Sequence, residues 1–110
     1  MNKYAKHPII VQVSVPNKET AELLAEHLVR EKLVACAQII PGMTSMYMWE
    51  DKLETESELL LVLKTFNTQF KTIVSVITEK HPYEVPEIIS VRVSEMTRNY
   101  SLWMDSVIRS

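Results

Sequence analysis

One run, His81-Pro82-Tyr83-Glu84-Val85-Pro86-Glu87, gathers an imidazole, a phenol and two carboxylates between two prolines. The imidazole can coordinate a metal or hydrogen-bond. The carboxylates accept hydrogen bonds or carry counter-charge. Each proline fixes its own φ at about −65° and pushes the preceding residue out of the helical region. The run is therefore a rigid connector with functional groups on it, and redirecting the chain is its minimal role.

The other chemically capable residues read more plainly. Cys36, the only thiol, lies between Ala35 and Ala37 in an apolar run and reads as a small buried hydrophobe. A nucleophilic pair of Cys36 with His81 would need an exposed cysteine, so the chain is expected not to be an enzyme. His27 falls on the flank of a helix, and His7 in an N-terminal tail, residues 1–7, expected to be mobile. Glu54, Glu56 and Glu58 alternate with Leu53, Thr55 and Ser57, which reads as a solvated strand edge that discourages wrong pairing. Met43, Met46, Met48 and Met104 read as core and interface filler.

Composition removes several classes. With 110 residues the chain forms one domain, residues 1–110. A net charge of −2 and a pI near 5.9 lack the basic stripe of a nucleic-acid surface. No apolar run approaches the roughly 20 residues of a membrane span. The stretch Met1 to Pro8 has no apolar core of a signal peptide, so a cytoplasmic location is expected. One cysteine excludes an intrachain disulfide, and one glycine, Gly42, excludes a glycine-rich phosphate loop.

Periodicity supplies the elements that must hold the connector. Ile9 to Val15 is an apolar, β-branched strand ended by Pro16. Asn17 caps a helix whose apolar face is Ala21, Leu24, Ala25, Leu28 and Val29. Val34 to Ile40 is a strand, interrupted at Pro41-Gly42 and extended again from Met43 to Trp49. Glu50-Asp51-Lys52 turns the chain into a long strand, Leu53 to Thr65. Asn67 or Thr68 caps a second helix with Phe70, Ile73, Val74 and Ile77 on one face. Ile88 to Val93 is the last strand, and Tyr100, Trp103, Met104, Val107 and Ile108 share one face of a terminal helix.

The order is β-α-β-β-α-β plus a C-terminal helix, an α+β, ferredoxin-like pattern with two helices on one face of an antiparallel sheet. Its central hairpin has arms more than twice the usual strand length of about five or six residues. The distal part carries Met46, Tyr47, Met48, Trp49 and Leu53, which are costly to leave in water. The hairpin is therefore expected to overhang its own sheet and complete a neighbour's, making a closed homo-oligomer.

Three blocks carry a family resemblance. The segment Cys36 to Lys52, the pair Lys64-Thr65 and the run His81 to Glu87 resemble the signature blocks of the CutA divalent-cation tolerance family, and Asn99 to Trp103 resembles its closing helix. The similarity runs from about Ile9 to Ile108 without a gap. It implies a tight homotrimer related in structure to the PII signalling proteins, with a role in tolerance of or response to divalent metal ions. In copper-binding members the ligands are a first-strand Cys and two consecutive His before Pro-Tyr. Those positions are Val13, Lys80 and His81 here, so only His81 remains as a metal ligand.

The resemblance thus implies weak divalent-ion binding, copper or zinc, through His81 and carboxylates, with no required cofactor. It also implies a cleft near a subunit boundary lined by Trp49, Lys64, His81, Tyr83 and Glu87. In that cleft Lys64 would hold an anion and Glu87 would be its counter-charge. The alternative function is a PII-like sensor of a small anionic ligand at the subunit clefts. No nucleic-acid or membrane partner is expected.

Overall fold

The computed structural model describes residues 5–110. Its elements run β1 (Pro8–Val15), α1 (Lys18–Arg30), β2 (Cys36–Trp49), β3 (Lys52–Phe66), a 3-10 turn (Asn67–Gln69), α2 (Phe70–Lys80), β4 (Ile88–Arg92) and α3 (Arg98–Val107). The four strands form one antiparallel sheet in the order β2-β3-β1-β4. This is the split βαβ arrangement expected from the element order.

One face of the sheet makes the core. Val11, Val13 and Val15 of β1 stand opposite Leu63, Leu61 and Leu59 of β3. Above them lie Ala21, Leu24 and Leu28 of α1 and Ile73 and Ile77 of α2. Asn17 caps α1 as expected, its Oδ1 accepting the Thr20 N–H at 2.8 Å. The helix closes with Lys32 at φ 58°, which lets the Leu33 N–H bond the Leu28 carbonyl at 3.0 Å.

The opposite face carries no helix over its centre. Register puts Ile10 and Gln12, Leu60 and Val62, Ile40, Ile89 and Val91 together on it. Ile40, Ile89 and Val91 are exposed. Cys36 belongs to this face, half-buried opposite Lys64, rather than to the core expected for it. The β2–β3 register explains why: Ala37, not Cys36, alternates inward against Leu63.

The hairpin overhangs as expected. β1 pairs β3 only from Leu59 to Phe66, so Lys52 to Glu58 continue past the end of β1. Seven residues of strand reach about 23 Å. The radius of gyration, 14.8 Å, accordingly exceeds the roughly 13 Å of a compact domain of this length.

Pro41-Gly42 does not break β2. One extra residue is absorbed between Ile40 and Met43, with Gly42 at φ +79°. Nothing would touch a side chain at Gly42, so it is the backbone conformation that calls for glycine there. At the tip, Glu50 and Asp51 both have positive φ, 49° and 64°, giving a two-residue turn of the type that matches strand twist.

One local expectation is corrected. Neither Asn67 nor Thr68 caps α2, because a 3-10 turn leads into it. The Asn67 side chain instead accepts the His7 N–H at 2.7 Å. That bond, with the ion pair of Lys6 to Asp105, ties residues 5–7 of the expected tail to the domain. Residues 1–4 of that tail lie outside the described residues.

Candidate functional site

The connector leaves α2 at His81, whose N–H still bonds the Ile77 carbonyl at 2.7 Å. Pro82 forces the residue before it out of the helix, and His81 is extended at φ −80°, ψ 136°. This swings the imidazole under the end of β1, where it is 7% exposed. Nε2 lies 2.8 Å from the Ser14 carbonyl, which can only accept, so Nε2 carries the hydrogen. Nδ1 accepts the Tyr83 N–H at 3.1 Å. Both ring nitrogens are thus spent on holding the connector to the sheet.

Tyr83 stands against that imidazole, with ring centroids 4.8 Å apart. Its hydroxyl donates to Glu58 Oε2 at 2.8 Å. Burial pushes the phenol above its ordinary value, and the hydrogen bond and negative charge of Glu58 push it further, so it remains a donor at neutral pH. Glu58, read from sequence as part of a solvated edge, is only 5% exposed. The connector covers it, because β1 ends at Val15 and leaves the flank of β3 beyond Leu59 for Tyr83 to occupy.

Between the overhanging hairpin and the connector runs a groove of about 850 Å³. Tyr47 and Trp49 of β2, Glu54, Glu56 and Glu58 of β3, and Pro82 to Glu87 line it. The Tyr47 phenol is also raised, by partial loss of surrounding water and then by Glu56, Glu58 and Glu54. Of the residues singled out in the sequence, Trp49, Tyr83 and Glu87 line this groove, and His81 lies beneath it.

Lys64 is elsewhere. It sits six residues beyond Glu58 on β3, about 20 Å along the strand. Its ammonium lies over the Tyr100 ring of α3, 5.8 Å from the centroid. Lys64 therefore does not line the groove that holds Glu87.

A copper-type site does not fit this chain. Val13 is fully buried beneath the helices, and the exposed Lys80 brings a cation where an imidazole would be wanted. His81 has no uncommitted nitrogen. Among the described residues no group of three or more His, Cys, Asp or Glu could hold a metal ion. Sequence reasoning missed Glu58, Tyr47 and the Ser14 carbonyl. The alternation at Glu54, Glu56 and Glu58 did place the three carboxylates on one face, which was the available signal.

Residues 9–107 match the family described as CutA1 divalent ion tolerance protein. The chain is 39% identical over 95 residues to the divalent-cation tolerance protein CutA of Thermus thermophilus, covering 86% of this chain and 92% of that one. It is 37% identical over 102 residues to the chloroplastic protein CutA of Arabidopsis thaliana, covering 93% of this chain but 56% of that longer protein. The solved divalent cation tolerance protein of Thermus thermophilus superposes with a TM-score of 0.90 at 36% identity, over 93% of this chain and 99% of that one.

Proposed function

The chain belongs to the CutA1 divalent ion tolerance family, and on that premise we propose that it serves tolerance of divalent metal ions as a non-enzymatic homotrimer. The observation that carries this reading is a match over residues 9–107, which takes in both the hairpin and the connector. The overhanging hairpin and the uncovered apolar sheet face support assembly, since both offer surface that a second copy would cover. No helix is long and apolar enough to cross a membrane. The cytoplasm is the proposed compartment, although the Arabidopsis relative is described as chloroplastic.

Divalent ions such as copper(II) or zinc(II) bind this chain weakly in this reading, which the absence of a group of three or more His, Cys, Asp or Glu among the described residues supports. Tolerance then does not depend on a tight copper centre. A sensor of small anions is not favoured: among the described residues the groove is lined by carboxylates and by no Lys, Arg or His.

The test is complementation. A host lacking its own CutA-type protein is grown in raised copper(II) or zinc(II), with this chain or His81→Ala supplied. Restored growth by the wild-type chain is the expected result, and no restoration with a well-expressed trimer contradicts the reading. Native mass spectrometry should find no stoichiometric copper that His81→Ala removes; such uptake would overturn the weak-binding part.

A further inference from the structure

We draw no further inference here: the strongest candidate, the uncovered apolar face of the sheet with Ile40, Ile89 and Val91 exposed on it, belongs to the assembly of copies already proposed, and nothing in the structure shows any other partner covering it.

Discussion

The two ends of β3 belong to different physical regimes. From Leu59 to Phe66 the strand lies between β1 and β2 with helices over one face, and Leu61 and Leu63 are fully buried. From Lys52 to Glu58 it has β2 on one side only, and Met46, Met48 and Leu53 on the arm are 68%, 63% and 67% exposed. The first half is stabilised by the protomer's own core. The second holds surface whose burial must come from outside the protomer, or from the connector at its root. The connector covers only the junction: Tyr83 reaches Glu58 and goes no further along the arm. Function is accordingly read at that junction, where a rigid loop meets an unsupported strand.

The contrast can be broken most severely in the covered half. Leu61→Ala removes a fully buried side chain and should lower stability by about 2–5 kcal/mol, read by urea unfolding. An effect no greater than that of a surface substitution would mean the core is not where the packing places it.

The junction comes next. Tyr83→Phe leaves Glu58 buried without its donor and should cost about 1–3 kcal/mol in the same measurement. The variant also carries a pH signature. The Tyr83 phenol is raised in the folded protein, so its contribution is fully present below the ordinary phenol value near 10 and is lost as pH climbs above it. Wild-type stability should therefore fall more steeply than that of Tyr83→Phe above that pH, and parallel curves would remove the proposed hydrogen bond from the account.

The arm's own backbone gives the smallest effect. Asp51 holds φ 64° at the hairpin tip, a conformation glycine adopts without penalty. Asp51→Gly should stabilise the hairpin by at most about 1 kcal/mol, seen as slower amide exchange from Met46 to Thr55. Faster exchange there would mean that the Asp51 side chain, not its backbone, matters at the tip.

The covered half was legible in the sequence because burial on one face writes itself as periodicity. Ile9, Val11, Val13 and Val15 alternate, and Ala21, Leu24 and Leu28 follow helical spacing. The arm's length and its exposed Met46, Met48 and Leu53 were legible for the same reason. Which of three identical-looking glutamates is buried was not. Glu54, Glu56 and Glu58 share one local pattern, and only the path of a connector 25 residues further along the chain distinguishes Glu58. The role of Asn67 was hidden likewise, since its partner His7 is 60 residues away in sequence. Lys64 lies close to Glu58 in sequence, yet the straightness of a strand carries it to the far end of the sheet.

The central claim is that the arm is completed by other copies of the chain, and sedimentation equilibrium at micromolar concentration tests it most directly. The account predicts a mass of three times 12.7 kDa for the wild-type protein. It also predicts dissociation in Met48→Ser/Leu53→Ser, with the protomer's helical signal retained. A wild-type monomer, or a trimer indifferent to those two substitutions, would contradict it.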